Sequence, residues 1–165
     1  PLGSTLDWKA SFAGNDGPNG LVYATTIFDD GSGPALIIGG DFASAGGSAA
    51  NRVARWNGSA WTALGTGLNG DVYALTVFDG TLIAGGGFTM AGGTAANRIA
   101  RWNGSAWSAL GTGMNNAVIA LTVFDGSLIA GGGFTNFAYI ARWNGSTWSA
   151  LGGGDGQCGP RPGRL

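Results

Sequence analysis

Val72-Tyr73-Ala74-Leu75-Thr76-Val77-Phe78-Asp79-Gly80 decides the fold, because the same run returns as Val118-Ile119-Ala120-Leu121-Thr122-Val123-Phe124-Asp125-Gly126 and, more loosely, as Val22 to Asp30. The offsets are 46 and 50 residues, and a fixed period of this size marks stacked supersecondary units. Arg-Trp-Asn-Gly-Ser begins at Arg55, Arg101 and Arg142, with a second tryptophan following each time at Trp61, Trp107 and Trp148. The unequal offsets are local insertions. The first copy carries Asp29-Asp30-Gly31-Ser32-Gly33-Pro34 where the second has only Asp79-Gly80, and the third loses five residues between Phe134 and Arg142.

Within the second copy the pattern predicts four strands, 72–78, 82–88, 98–102 and 106–110, separated by turn residues. Asp79-Gly80, like Asp125-Gly126, joins the first two strands, and Asn103-Gly104 joins the last two. Such pairs suit tight hairpins because they accept positive φ with little strain. The links 89–97 and 111–116 are longer. Each copy therefore reads as a four-stranded antiparallel meander.

These strands are apolar on both sides, as Leu75, Val77, Phe78, Leu82, Ile83 and Ala84 show. Both faces of each sheet need a cover, and like sheets stacked face to face supply it. The expected fold is all-β, a β-propeller of four-stranded antiparallel blades, three per chain; such rings close with about four to eight blades. An open stack or β-solenoid is the alternative. Glycines such as Gly85, Gly86 and Gly87 fit strands crowded near a central axis.

The expected division is 1–4, resembling what remains after a protease removes a purification tag; 5–20, an outer strand and link; 21–67, 68–113 and 114–153, blades 1, 2 and 3; and 154–165, a Gly/Pro tail. Three blades fall short of a ring and would leave an apolar face bare at each end. Two copies supply six, so a homodimer is expected. Trp8 and Phe12 align with the fourth strand of a blade, and together with Trp148 and Leu151 they are the expected ring-closing residues. The alternatives are a piece of a longer array or a chain assembled from blades.

Composition narrows the function. The 165 residues carry a net charge of -1 with Lys and Arg scattered singly, which offers no basic stripe to nucleic acid. No apolar run reaches the roughly 20 residues of a membrane-spanning helix. Cys158 is the single cysteine, so neither an intrachain disulfide nor a paired-cysteine metal site is expected, although it could couple two chains. With no His and no Glu, acid and base chemistry would fall to Asp alone. No calcium loop or phosphate-binding loop is evident. The expectation is a protein without catalytic residues, metal or cofactor.

The strand ending in Gly-Gly (Gly39-Gly40, Gly85-Gly86, Gly131-Gly132), followed by paired tryptophans, resembles the kelch-like propeller repeat. More closely, Ala-Leu-Thr-Val-Phe-Asp-Gly, Ala-Gly-Gly-x-Phe-Thr and Arg-Trp-Asn-Gly-Ser-x-Trp-Ser-Ala-Leu-Gly resemble the repeats of secreted bacterial propeller proteins of uncharacterised role. The resemblance covers residues 8–151. It implies a propeller and an extracellular or cell-surface setting, and is nearly silent on activity. Copy three departs from it, with Ala138-Tyr139 in place of Asn97-Arg98.

Two readings of the repeated side chains stay open. Arg55, Trp56, Arg101, Trp102, Arg142 and Trp143 could form glycan sites between blades, since aromatic faces suit sugar rings. The favoured reading is that the tryptophans fill the widening gap between sheets and the arginines are structural, stacked on a ring or paired with Asp79 and Asp125. Asn57, Asn103 and Asn144 begin Asn-Gly-Ser sequons that are more simply turns. The longer links share one end of the blades, and variable loops on a rigid scaffold are where binding resides. The function expected is a non-enzymatic interaction or scaffold module whose partner is itself, with another protein or a glycan possible and a lectin as the alternative.

Overall fold

The computed structural model describes residues 17–152. The expected outer strand with Trp8 and Phe12, the tag-like start and the Gly/Pro tail lie outside the described residues. Every regular element described is a β-strand.

Blade 1 runs through β1 (Leu21–Asp29), β2 (Pro34–Asp41), the short hairpin β3 (Ser44–Ala45) and β4 (Ser48–Ala49), then β5 (Val53–Trp56) and β6 (Trp61–Ala63). Blade 2 repeats this with β7 (Val72–Phe78), β8 (Thr81–Gly86), β9 (Met90–Ala91), β10 (Thr94–Ala95), β11 (Ile99–Trp102) and β12 (Trp107–Ala109). Blade 3 has β13 (Val118–Phe124), β14 (Ser127–Gly132), β15 (Ile140–Trp143) and β16 (Trp148–Ala150). The sheets are ordered β1-β2-β5-β6, β7-β8-β11-β12 and β13-β14-β15-β16, each an antiparallel meander. In all three the first strand carries an irregularity two residues in, at Val22/Ala24, Val72/Ala74 and Val118/Ala120, and such a bulge raises local twist. The first strands lie side by side, β1 against β7 and β7 against β13.

The structure refines the expected turns. Asp79-Gly80 takes φ of 50° and 69°, and Asp125-Gly126 takes 49° and 67°, the paired positive angles of a type I′ hairpin. Asn103-Gly104 works differently. Trp102 pairs directly with Trp107, leaving a four-residue loop in which only Gly104 has positive φ. The Asn103 side-chain oxygen accepts from the amides of Ser105 at 3.0 Å and Ala106 at 2.9 Å. Asn57 and Asn144 do the same. Here asparagine acts through its side chain, as in an Asx turn.

Two further departures concern the link after the second strand. β8 stops at Gly86, short of the expected 88, and the expected loop 89–97 contains the hairpin β9–β10. Gly92-Gly93 turns it with φ of 59° and 83°, as Gly46-Gly47 does in blade 1 at 57° and 76°. Blade 3, five residues shorter here, has no Gly pair and makes a turn instead.

The core lies between blades. One cluster joins Phe28, Ile37, Val53 and Leu64 of blade 1 to Leu82, Ala84, Phe88, Ala100 and Trp107 of blade 2. A second joins Ile83, Ile99 and Leu110 of blade 2 to Leu128, Ala130, Phe134, Ala141 and Trp148 of blade 3. Glycine sets how close the sheets come. A Cβ at Gly39 would lie 2.5 Å from Cγ1 of Val72, and one at Gly85 would lie 2.5 Å from Cγ1 of Val118. These glycines therefore face the next blade, and crowding at the axis is not what requires them. Gly86 differs, for its Cβ would collide with the Asp71 carbonyl of its own blade.

Candidate functional site: blade faces and inter-blade grooves

The tryptophans pair across the last two strands of each blade, with ring centroids 5.2 Å apart for Trp56–Trp61, 5.4 Å for Trp102–Trp107 and 5.3 Å for Trp143–Trp148. Trp102, Trp107, Trp143 and Trp148 are buried, whereas Trp56 and Trp61 are half-buried. Two indoles also tie blades together. Nε1–H of Trp107 donates to the Leu64 carbonyl at 2.8 Å, and that of Trp148 donates to the Leu110 carbonyl at 2.9 Å. Trp107→Phe removes the donor and leaves a smaller ring in a buried site. Because Leu64 still accepts from the Gly67 amide at 3.2 Å, the hydrogen bond itself contributes only about 1 kcal/mol to the expected loss, and the cavity left by the smaller ring adds to it, as urea unfolding would measure.

The arginines that precede the tryptophans do not pair with Asp79 or Asp125. Arg55 reaches the inserted hairpin of blade 1, donating from Nη2 to the Ser32 hydroxyl at 2.7 Å, with Nε 3.5 Å from Asp30. Asp30 exists only in that insertion, which is why a reading based on blade 2 misses it. Arg101 donates to the Ser108 hydroxyl at 3.2 Å and Arg142 to the Ser127 hydroxyl at 2.9 Å. The Asp30 carboxyl is held below its ordinary 3.8, chiefly by the Ser32 hydroxyl, then by the Ser32 amide, with Arg55 adding to it. A depressed folded value means that the stabilisation is complete above pH 3.8 and is lost as pH falls through the folded value. Asp30→Ala is therefore expected to be less stable than the parent at neutral pH, with the gap narrowing as pH falls below 3.8, as unfolding curves across that range would read.

The long links form two equivalent open grooves. One, of about 400 Å³, lies between blades 1 and 2 and is lined by Asn51, Arg52, Thr66, Gly67, Asn69 and Met90 among others. Its counterpart between blades 2 and 3, about 320 Å³, is lined by Asn97, Arg98, Thr112, Gly113, Asn115 and Asn136 among others. Arg52 and Arg98 adopt left-handed φ of 66° and 65°. Their amides donate to the carbonyls of Phe42 and Phe88. Tyr139 takes the equivalent place in blade 3 at φ 72° and keeps the backbone bond, to Phe134, so the departure from the repeat changes the side chain and preserves the turn. Among the described residues only Arg52 bridges blades ionically, lying 2.9 Å from Asp41 and 3.4 Å from Asp71. The side-chain oxygens of Asn19, Asn69 and Asn115 fasten the link before each blade to the link after its second strand. Most of these groove residues belong to the longer links that the sequence marks as the binding end of the blades, and the Asn-Arg pair recurs at 51–52 and 97–98.

The outer faces of the end blades differ from the inner ones. Phe28, Val53 and Leu64, which face blade 2, are buried. Their equivalents on the far side of blade 3 are bare: Phe124 is 70% exposed, Ile140 38% and Leu151 43%. Ile129 on the same side is buried. At the other end Leu21 and Ile27 of β1 are 63% and 61% exposed.

Four-stranded meanders stacked through their apolar faces, with their first strands side by side, define this chain as a set of β-propeller blades. Residues 8–157 match the model of the Rax2 C-terminal beta propeller domain, and the chain belongs to that family. No curated protein matches it.

Proposed function

We propose that the chain is a non-enzymatic propeller module for interaction or scaffolding, which oligomerises so that further blades complete its ring. The supporting observation is internal: Val53 and Leu64 of blade 1 and Ile99 and Leu110 of blade 2 are buried, whereas their blade 3 equivalents Ile140 and Leu151 are exposed, and Phe124 is 70% exposed where Phe28 is buried and Phe78 partly buried. Apolar surface of that kind gains about 25 cal/mol per Å² when covered, and within the chain the equivalent surface is covered by the next blade. An extracellular or cell-surface setting belongs to the same proposal and rests on the resemblance of the repeats.

Sedimentation velocity over a concentration series tests this reading. The expected result is a mass above the 16.4 kDa of one chain, lowered by Phe124→Ser; a single-chain mass at every concentration would rule it out.

A second reading, carbohydrate binding, is favoured by the two polar grooves of equivalent composition on the loop side. It draws less support from Trp102 and Trp143, whose rings are buried between blades. A glycan array followed by calorimetric titration decides it, since no binding to any common sugar would remove it.

A further inference from the structure

We infer that the partner is a second copy of this chain, that blade 1 of each copy seats on the bare far face of blade 3 of the other, and that two such contacts close six blades. This deepens the association reading above and rests on it.

The chain supplies the template twice. Gly39 of blade 1 receives Val72 of blade 2, and Gly85 of blade 2 receives Val118 of blade 3, each at a distance that leaves no room for a Cβ. At Gly131 of blade 3 an added Cβ would meet, among the described residues, only the Cβ of Ala120, at 3.9 Å. The residue that continues the series is Val22, at the start of β1 and 40% exposed.

The indole bonds extend the same way. Trp107 donates to Leu64 and Trp148 to Leu110, each reaching back to the preceding blade. The next member pairs the half-buried Trp61 of one copy with the Leu151 carbonyl of the other. The glycine after each of these leucines underlies a ring of the following blade: a Cβ at Gly65 would lie 3.2 Å from Trp102, and one at Gly111 would lie 2.6 Å from Trp143. Gly152 shares their positive φ, and among the described residues nothing lies within 4 Å of a Cβ placed there, which leaves it open to Trp56 of the second copy. Three kinds of contact therefore call for the same neighbour in the same register. Stoichiometry follows from ring size, because six is the one multiple of three among the usual four to eight blades.

The test is a cross-link in the full chain with Cys158→Ser as background, combining Val22→Cys and Gly131→Cys. In the internal templates the Cβ built on the glycine lies 3.0 Å from Cβ of Val72 and 3.1 Å from Cβ of Val118, a shift of a few tenths of an ångström from the usual disulfide range of about 3.5–4.5 Å. Mild oxidation is expected to give a species of two chains on a non-reducing gel, and either cysteine alone is expected to give none. A ladder of higher species or a cross-link within one chain would overturn the proposal, and so would the absence of a cross-link together with an unaffected Gly131→Leu variant. Gly131→Leu guards against a failure of disulfide chemistry. Among the described residues only the Cβ of Ala120 comes within 4 Å of the added Cβ, so the near-ultraviolet circular dichroism should stay unchanged while the dissociation constant rises at least tenfold. If the parent chain associates but Gly131→Leu is without effect and no cross-link forms, this register is wrong and the association reading stands. A parent chain that sediments as a single copy throughout overturns both, and assigns the face to the chain's own ends or to a different protein.

Discussion

Phe88→Ala is expected to lower the stability of the chain by about 3–5 kcal/mol, the range for removing a large aromatic side chain from a packed core. Phe88 is 1% exposed and belongs to the cluster that joins blades 1 and 2. It also stands where the backbone is committed. Its carbonyl accepts from the amide of left-handed Arg98 at 2.9 Å, and its Cα sits so near Gly70 that a Cβ there would come within 2.9 Å. A backbone held at both points cannot sink into the space the ring leaves, so the cavity term adds to the lost transfer energy instead of relaxing away. Against a total of about 5–15 kcal/mol for a typical domain, this is a large fraction. Urea unfolding followed by tryptophan fluorescence would measure it, and a loss under about 1 kcal/mol would mean that the blades do not depend on one another.

The period, the meander and the inter-blade role of the tryptophans were legible because each follows from residues that recur at fixed offsets. Leu75, Val77 and Phe78 cannot all face one side of a strand, so the sequence alone requires a neighbour on each face of the sheet. What stayed illegible depends on distance or on one copy alone. That Gly85 answers to Val118 needs the separation of two sheets, and a run of three glycines does not say which faces outward. Asp30 has no counterpart in the other copies, so the pairing of Arg55 could not be read from Asp79 or Asp125. Asn103-Gly104 and Asp79-Gly80 look alike on paper, yet one closes a four-residue loop through a side chain and the other a two-residue hairpin through its backbone. The difference is set by the direct pairing of Trp102 with Trp107, a tertiary fact. The grooves draw on residues from successive blades and exist only once the blades are stacked.

Gly85→Leu should be strongly destabilising, and it contrasts directly with Gly131→Leu. The two positions are 46 residues apart and occupy the same place in the repeat, so propensity, strand position and the loss of glycine's freedom in the unfolded chain are common to both. What differs is the neighbour. At Gly85 the new Cβ would sit 2.5 Å from Cγ1 and 3.1 Å from Cβ of Val118, and 3.3 Å from Cδ1 of Leu121. Val118 is fully buried and β-branched, so it has few rotamers to move into; the sheets of blades 2 and 3 must part, and every contact of their shared cluster weakens together. Overpacking of one or two methylenes costs about 1–3 kcal/mol, and a whole isobutyl group against an immobile partner belongs at or above the upper end. Thermal unfolding monitored by near-ultraviolet circular dichroism would report it. Equal stability of the Gly85 and Gly131 variants would mean that the spacing between blades is not fixed by glycine, and the register argued for the second copy would lose its template.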